Sequence, residues 1–333
     1  MKAMILKRAA KIERAPLSLE EIETPKPKKG ELLVKVKACG VCHTDLHIVE
    51  GDIPLKKSPI IPGHEVIGVV SEIGTDVTKF KKGDRVGIPW LYSTCGKCEF
   101  CLDGKENLCE SAKFTGWDVD GGYAEYIIGL EDFTYKIPEK FSDIEAAPLM
   151  CAGVVGYRAY RLSEIKPGQR LGLFGFGTSA HVIIQIANYH RCEVYVFTRS
   201  ASHKKHAEEL DAKWVGDPKD NPPKKLDSAI IFAPKGSVVL DALRVIKNGG
   251  VVANSSIYMD DIPKMNYEKY LYHEKKLLSV ANSTRKDVID FLTEAEKASV
   301  KNNVSIFPFK DANKVLGMLK RSEINGAAVL TFD

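Results

Sequence analysis

The chain lacks any apolar run as long as a membrane-spanning helix, although 44% of its 333 residues are hydrophobic. A span needs about 18 or more consecutive apolar residues, so the sequence predicts no membrane segment. It also lacks internal repeats and low-complexity tracts. Its opening residues carry Lys2, Lys7 and Arg8 without the apolar core of a signal peptide. These absences favour a cytoplasmic protein, and the length suits two packed domains.

Concentrated charge is lacking too, because the net charge of +4 is spread along the chain. Small basic clusters at 26–29 and 79–82 stand beside Pro or Gly and indicate solvated turns. The sequence therefore predicts no nucleic-acid partner.

Four of the eight cysteines are closely spaced, as C-x2-C-x2-C-x7-C: Cys95, Cys98, Cys101 and Cys109. Thiolates at this spacing converge on one point and form the tetrahedral sulfur cage that structural zinc prefers. Disulfide bonds are the alternative, but in a reducing compartment such thiols bind metal instead. Residues 95–109 thus predict a structural-zinc lobe.

The pattern of the chain changes near Cys151. Before it, short strand-like runs such as 31–37 and 66–72 alternate with Gly and Pro turns, which predicts an all-β body with long loops. After it, strands and helices alternate, which predicts a doubly wound parallel sheet. The expected strands are 170–174, 193–198, 226–232 and 251–253, and the expected helices are 179–190, 202–210 and 237–247, the last closed by Gly249 and Gly250.

The first turn of that sheet has the pattern G-x-G-x-x-A, formed by Gly175, Gly177 and Ala180 with Thr178 and Ser179 between them. The two glycines permit a tight turn and let backbone N–H groups approach a pyrophosphate at the positive end of the next helix. The strand before it, the helix after it and a second strand ending about 20 residues later complete the fingerprint. The sequence therefore predicts a dinucleotide site.

The end of the second strand lacks the carboxylate that usually holds a free ribose 2′-hydroxyl. It carries Thr198, Arg199 and Ser200 instead, followed by Lys204. Hydroxyls and a bidentate guanidinium suit a 2′-phosphate, so the sequence favours NADP(H) over NAD(H). The alternative is that Arg199 faces water and that other groups hold the ribose of NAD(H).

A second set of metal-binding and proton-transfer residues occurs in the first half of the chain. Its members are Cys39, Cys42, His43, Thr44, Asp45 and His47, then His64 and Glu65 after a Pro-Gly turn, and Cys151 at the domain junction. Spacing alone does not tell which of Cys39 and Cys42 is a ligand. An isolated cysteine such as Cys151 is more often a small buried apolar residue than a metal ligand.

In order and spacing, these motifs resemble those of the zinc-dependent medium-chain alcohol dehydrogenases over essentially the whole chain, and the cofactor half looks closest to the cinnamyl-alcohol-dehydrogenase-like branch. The resemblance implies a GroES-like β-barrel catalytic domain at 1–152 and a Rossmann nucleotide-binding domain at 153–284. A C-terminal segment, 285–333, would return to the catalytic domain. It also implies a homodimer or homotetramer.

The resemblance further implies a catalytic zinc held by Cys42, His64 and Cys151, with Glu65 as a transient ligand and Asp45 orienting His64. This zinc would act as a Lewis acid on a primary aliphatic or aromatic alcohol, or on the matching aldehyde, while hydride passes to or from the nicotinamide. With the lobe, the chain would hold two zinc ions. An ordinary buried ion pair is the alternative for Glu65 and Asp45.

By the same resemblance, Thr44 and His47 form a proton relay, and His43 contacts the pyrophosphate. Trp90 and Trp117 match regions that line the substrate cleft, although core positions would suit either tryptophan equally. Many relatives carry a pyrophosphate-binding arginine near the C-terminus, where 324–328 has none. Two other functions stay open: a non-catalytic sensor of zinc and dinucleotide, and a quinone or enone reductase of the same superfamily.

Overall fold

The computed structural model of the chain describes residues 1–324 and 326–332, which form two compact units. Unit 1 comprises Met1–Ala152, Thr284–Thr293 and Lys301–Asp333, and unit 2 comprises Gly153–Ser283 and Glu294–Val300. Asn325, within the stretch expected to lack the pyrophosphate arginine, lies outside the described residues. None of the helices in the described residues combines the length and apolar composition that a membrane span requires.

The segment expected as one piece at 285–333 is divided between the units. Its start joins unit 1, where the backbone N–H and Nε of Arg285 donate to Glu106 Oε1 at 3.0 and 3.1 Å. Residues 294–300 belong to unit 2, where Ala295 and Val300 are buried. The resemblance that predicted one returning segment does not indicate this division.

Helices are labelled in chain order. They are α1 His43–Glu50, α2 Glu99–Leu102, α3 Asp143–Ala146, α4 Ala152–Leu162, α5 Thr178–Tyr189, α6 Ala201–Glu209, α7 Ser237–Val245, α8 Tyr267–Tyr270, α9 Arg285–Ala298 and α10 Ala312–Lys320. Short 3-10 turns cover Ile12–Arg14, Glu106–Leu108, Glu131–Phe133, Ala147–Met150 and Phe309–Asp311.

Strands are labelled in the same way. They are β1 Lys2–Leu6, β2 Leu17–Glu21, β3 Glu31–Val41, β4 Glu65–Ile73, β5 Arg85–Ile88, β6 Leu91–Ser93, β7 Lys113–Phe114, β8 Tyr126–Leu130, β9 Tyr135–Lys136, β10 Arg170–Phe174, β11 Glu193–Phe197, β12 Trp214–Gly216, β13 Leu226–Ile231, β14 Ile246–Asn254, β15 Lys276–Ser279, β16 Val304–Pro308 and β17 Ala327–Thr331.

Unit 1 is built on a sheet of order β16-β17-β3-β4-β5-β9, with β8 also paired to β3. The long strand β3 pairs antiparallel with β4, β8 and β17, and its buried side chains, such as Leu32 and Val34, face the core of the unit. Gly40 in β3 stands opposite Glu65 in β4. The loop that follows β3 and the loop that precedes β4 therefore lie next to each other at this end of the sheet.

Unit 2 contains a parallel sheet of order β12-β11-β10-β13-β14-β15 with helices in the connections. Strand β10 pairs with both β11 and β13, so the order of strands reverses beside it. In open α/β sheets, ligands bind beyond the carboxyl ends of the strands at such a switch point. The G-x-G-x-x-A turn directly follows β10.

One helix ends earlier than the sequence predicts. The helix expected at 237–247 stops at Val245, and β14 begins at Ile246. Ile246 is 1% exposed and pairs with Leu226 in the sheet, so tertiary packing overrides the local helical pattern. Gly249, expected to close the helix, lies within β14 at φ +71° instead.

Candidate active site

Helix α1 places a candidate metal ligand and the candidate proton-relay residues on neighbouring turns. Its N-cap residue is Cys42, whose backbone N–H donates to Asp45 Oδ2 at 3.0 Å. Gly51, in the left-handed conformation, ends the helix. A carboxylate in the first turn favours the helix because it satisfies an unpaired backbone donor and interacts with the helix dipole.

Four side chains of unit 1 converge on a space the size of one metal ion. They are Cys42, His64, Glu65 and Cys151, and their ligand atoms all lie within 4.8 Å of one another. With Zn–S bonds of about 2.3 Å, the ligand atoms of a tetrahedral zinc site lie about 3.8 Å apart. Cys39 is not in this group, because its thiol lies buried in β3 and 3.6 Å from the carbonyl oxygen of Gly40. The geometry thus favours Cys42 as the ligand and gives Cys151 a place beside it.

The imidazole of His64 is fully buried and engaged on one side only. Its Nδ1 lies 2.8 Å from Asp45 Oδ1, whereas Nε2 is buried without a hydrogen-bond partner. An unpaired buried nitrogen is costly, and a metal at Nε2, with Nδ1–H donating to Asp45, removes that cost. Burial acts to lower the pKa of His64, but the charge of Asp45 raises it well above its ordinary value.

The two thiols of this group are electrostatically coupled. A hydrogen bond from Cys151 lowers the pKa of Cys42 well below its ordinary value, and the same bond, with burial, raises the pKa of Cys151 well above it. Adjacent buried thiolates repel each other, so without a cation only one of them ionises readily. A dication removes that repulsion, and thiolate and imidazole are ligands that zinc prefers. The residues therefore fit a zinc ion.

Glu65 lies beside the same group, in space left by a glycine. A Cβ atom on Gly40 would come within 2.9 Å of Glu65 Cβ. Burial, and then the charge of Cys42, raise the pKa of Glu65 well above its ordinary value, while a hydrogen bond from the backbone of Ala152 acts to lower it. A carboxyl group so placed can approach the metal position from within the protein.

The cysteine lobe forms a second cluster, whose four sulfur atoms also lie within 4.8 Å of one another. Cys101 Sγ lies 3.5 Å from Cys98 Sγ and 3.9 Å from Cys95 Sγ. These separations exceed the disulfide bond length of about 2.05 Å and are near the edge of a zinc tetrahedron. Backbone N–H groups of Lys97 and Cys98 lower the pKa of Cys95 to about 6. Its thiolate is therefore stabilised before any metal binds.

The candidate proton-relay residues lie one turn apart on α1. Thr44 is buried, and its Oγ1 lies 3.8 Å from Cys42 Sγ. His47 follows at i+3, on the same face of the helix, and its Nδ1 lies 3.0 Å from Asp52 Oδ2. Asp52 favours the tautomer with a proton on Nδ1, which makes Nε2 the acceptor nitrogen. His43, the first residue of α1, is exposed.

Sequence reasoning missed two hydrogen-bonding residues at this site: Asp52, the partner of His47, and Tyr123, a partner of Asp45. Asp52 directly follows the Gly51 that ends α1, and a carboxylate just past a helix that carries a relay histidine is a signal that could have identified it. Tyr123 donates from its hydroxyl to Asp45 Oδ2 at 3.2 Å. Nothing in the sequence indicates that contact, because it joins residues from distant parts of the chain.

Aromatic side chains border the first cluster, which is the group of Cys42, His64, Glu65 and Cys151. Trp90 is 8% exposed and meets His64 edge to face, with ring centroids 4.9 Å apart. It stacks with Phe114 at 5.1 Å and with Trp117 at 5.9 Å, and the Lys56 ammonium lies 4.0 Å from the Trp117 ring centroid. Trp90 thus belongs to the core of unit 1 and also borders a candidate metal ligand.

The G-x-G-x-x-A turn has the geometry of an anion site. Gly175 has φ +91°, and a Cβ there would lie 2.9 Å from the backbone nitrogen of Ala233, so only glycine fits. Gly177 is the N-cap residue of α5 and has open space around it. Ala180 is fully buried. A tight turn followed by a helix N-terminus is the arrangement that binds pyrophosphates in dinucleotide-binding proteins.

The residues after β11 differ in how free they are to bind a ligand. Thr198 is buried, and the Ser200 hydroxyl caps α6. Lys204 forms an ion pair with Asp217, with 3.2 Å between Nζ and Oδ1. The exposed Arg199 side chain has no hydrogen bond or ion pair with the rest of the described chain. Of the two predicted cations, Arg199 is therefore the more available to a phosphate.

A parallel-sheet unit whose first turn has the dinucleotide-binding pattern, in the same chain as a unit with a thiol–imidazole cluster that could hold a metal, is typical of metal-dependent oxidoreductases. Comparison with known proteins identifies the family. A family profile described as "Alcohol dehydrogenase GroES-like domain" matches residues 28–139. A protein described as a probable alcohol dehydrogenase, AdhA, from Mycobacterium tuberculosis is 44% identical over 99% of this chain and 97% of its own. The chain belongs to the alcohol dehydrogenase family.

Solved structures agree with this assignment. An alcohol dehydrogenase from Pyrobaculum aerophilum, solved with cobalt and zinc bound, superposes with a TM-score of 0.90 at 26% identity, covering 100% of this chain and 99% of that one. A cinnamyl alcohol dehydrogenase from Sorghum bicolor has a TM-score of 0.88 at 25% identity, covering 98% of this chain and 97% of its own. The predicted family and the predicted α/β fold class, GroES-like plus Rossmann, are confirmed.

The positions of Cys39 in β3 and of Cys42 at the N-cap of α1 generate a direct test. Because only Cys42 joins the first cluster, Cys42→Ser should lower the zinc content by about one ion per chain, while Cys39→Ser should leave it unchanged. Metal analysis of the two purified variants beside the parent protein measures this. Loss of zinc from the Cys39 variant alone would assign the ligand to β3.

Proposed function

We propose that the protein is a zinc-dependent, NADP(H)-preferring alcohol dehydrogenase or aldehyde reductase that acts on primary aliphatic or aromatic alcohols. It is an NAD(P)-dependent enzyme of the alcohol dehydrogenase family. The observation that carries the zinc proposal is the unpaired His64 Nε2, buried beside the thiols of Cys42 and Cys151. A sensor without turnover would not need the hydroxyl and imidazole that α1 also brings to this site.

In the proposed reaction, Cys42, His64 and Cys151 would hold the catalytic zinc, and the lobe cysteines would hold a second ion. The zinc would supply a Lewis acid that eases loss of the alcohol proton, and the nicotinamide would supply the hydride acceptor or donor. Asp45 keeps His64 in the tautomer that presents Nε2 to the metal. Glu65 stands as a carboxyl group that can exchange with water near the metal.

Proton movement is assigned to α1. Thr44 Oγ1, next to Cys42 Sγ, accepts the alcohol proton and passes its own onward. His47 Nε2 receives that proton, because Asp52 holds the other ring nitrogen as a donor. An imidazole can both accept and donate a proton, which suits transfer in both directions.

NADP(H) is preferred because the end of β11 offers donors without a competing carboxylate. The Arg199 guanidinium can grip a 2′-phosphate in a bidentate fork, while Thr198 and the cap residue Ser200 shape the turn beside it. The backbone of Gly175, Gly177, Thr178, Ser179 and Ala180 would bind the pyrophosphate, and the family resemblance assigns His43 a contact with it.

The substrate pocket is proposed to be apolar and partly aromatic. Trp90 lies against His64 and stacks with Phe114 and Trp117. Flat or extended apolar groups gain contact area against such rings. Medium-length aliphatic and aromatic alcohols and their aldehydes therefore fit this site.

The protein is proposed to act in the cytoplasm as a homodimer or homotetramer. Free thiols in two metal clusters suit a reducing compartment. Strand β15 is at the edge of the sheet of unit 2, and exposed apolar side chains occur in the same unit. They include Ile257, Tyr258, Ile262, Tyr267 and Tyr272. Exposed strand edges and apolar patches commonly mark contact surfaces.

The proton relay predicts a graded loss of turnover. Thr44→Ala should lower kcat by about 10²-fold, because a positioned proton-transfer group is removed. His47→Gln should cost only about tenfold, since water can replace the imidazole. Both variants should keep the parent zinc content. A loss of zinc from both variants alike would assign these residues a structural role.

The cofactor proposal predicts that Arg199→Asp shifts preference toward NADH. The charge-assisted contact with the 2′-phosphate is worth about 1.5–3 kcal/mol, so the kcat/KM ratio for NADPH over NADH should fall at least about tenfold. Lys205→Asp, which makes the same charge change at an exposed position of α6, is the matched control. An unchanged ratio in the Arg199 variant would show that this side chain faces solvent and does not contact the cofactor.

Metal removal separates the alcohol dehydrogenase proposal from the quinone or enone reductase. Chelation that empties the first cluster should abolish oxidation of benzyl alcohol and reduction of benzaldehyde and hexanal, and added zinc should restore both. Metal analysis of the same samples shows which cluster was emptied. Full activity after confirmed loss of that zinc would favour the reductase.

A further inference from the structure

The Asp45 carboxylate has no exposed surface and accepts four hydrogen bonds. Oδ1 accepts from His64 Nδ1 at 2.8 Å and from the backbone N–H of Gly63 at 3.1 Å. Oδ2 accepts from the backbone N–H of Cys42 at 3.0 Å and from the hydroxyl of Tyr123 at 3.2 Å. Three of these donors belong to the metal-binding segments themselves. The hydroxyl of Tyr123 is the one that comes from elsewhere.

Tyr123 is fixed firmly enough to hold its hydroxyl in place. It is fully buried, its backbone N–H donates to Pro62 at 3.0 Å, and its carbonyl accepts from Met4 at 2.8 Å. Its ring lies against Gly63, where a Cβ would come 2.4 Å from Tyr123 Cδ1 and where φ is +98°. The ring therefore packs on the loop that carries His64, and only glycine permits this contact.

The hydroxyl is the donor whose loss leaves the metal ligands chemically unchanged. Without it, Asp45 Oδ2 keeps only the Cys42 N–H, and the carboxylate is freer to rotate away from His64. Partners beyond the ligands orient metal-binding histidines, and their loss commonly weakens metal binding. Burial, and then the charge of Asp45, raise the pKa of Tyr123 well above its ordinary value, so the phenol remains a donor.

We propose that Tyr123 is a positioning residue for the catalytic metal: through its hydrogen bond to Asp45, it holds the His64 imidazole in its metal-binding orientation. The inference rests on the proposed function, since the metal is the zinc assigned to Cys42, His64 and Cys151. It adds to that function a residue beyond the ligand and its direct partner. Its effect falls on metal retention and so can be measured without turnover.

The test is the rate at which zinc leaves the holoenzyme of Tyr123→Phe in the presence of a colorimetric chelator. One equivalent, from the first cluster, should leave about tenfold faster than in the parent. The equivalent in the cysteine lobe should leave at the parent rate, which also reports that the variant is folded. Tyr135→Phe removes the hydroxyl of another buried tyrosine of unit 1 and should change neither rate.

A double variant tests whether Tyr123 acts through Asp45. In Asp45→Asn, adding Tyr123→Phe should cause little further acceleration, because the two residues act through one contact. An unchanged rate in the single Tyr123 variant overturns the proposal, and so do equal acceleration at both clusters and independent effects of the two substitutions. Turnover measured in parallel tests the dehydrogenase proposal separately.

Discussion

The buried carboxylate of Asp45 connects the fold of unit 1 to its candidate metal site. Its four donors come from the cap of α1, from the loop before β4, from the imidazole of His64 and from Tyr123. An ionised carboxylate without water is costly unless its oxygens are hydrogen-bonded. Each hydrogen bond to a charged group contributes about 1.5–3 kcal/mol. The two segments that carry Cys42 and His64 are thus tied to one point.

The same region concentrates ionisable groups that would repel one another without a cation. Cys42, Cys151, Glu65 and Asp45 lie together, and burial and mutual charge raise the pKa of both Cys151 and Glu65. A chain selected for stability alone would replace such a group with apolar residues. Its presence beside an unpaired imidazole nitrogen fits a dication at its centre, and metal affinity would then depend on pH because the thiols must lose their protons.

Much of the fold was predictable because its signals are local. The alternation of strands and helices after Cys151 and the turn at Gly175 depend on residues close in sequence, and the structure places these elements within a few residues of the predicted bounds. The end of α7 was not predictable in this way, because Ile246 leaves the helical pattern to pair with Leu226. The division of the C-terminal segment likewise depends on tertiary burial.

The site shows the same contrast. The lobe cysteines were evident from spacing, whereas spacing left the choice between Cys39 and Cys42 open; the family resemblance implied Cys42, and the geometry favours it too. Tyr123 lies far along the chain from Asp45, and no periodicity joins them. The pairing of Lys204 with Asp217, which leaves Arg199 as the more available cation, is also a contact between separate elements. Residue types thus indicated which chemistry to expect, and long-range packing determined the partners of each residue.

The most direct test of the central claim is a crystal structure of the purified enzyme with anomalous diffraction recorded at the zinc absorption edge. Two anomalous peaks per chain are expected: one within the lobe, and one bonded to Cys42 Sγ, His64 Nε2 and Cys151 Sγ, with His64 Nδ1 still hydrogen-bonded to Asp45. A fully loaded lobe with no metal at the first cluster would contradict the central claim, as would a metal there bound by Cys39.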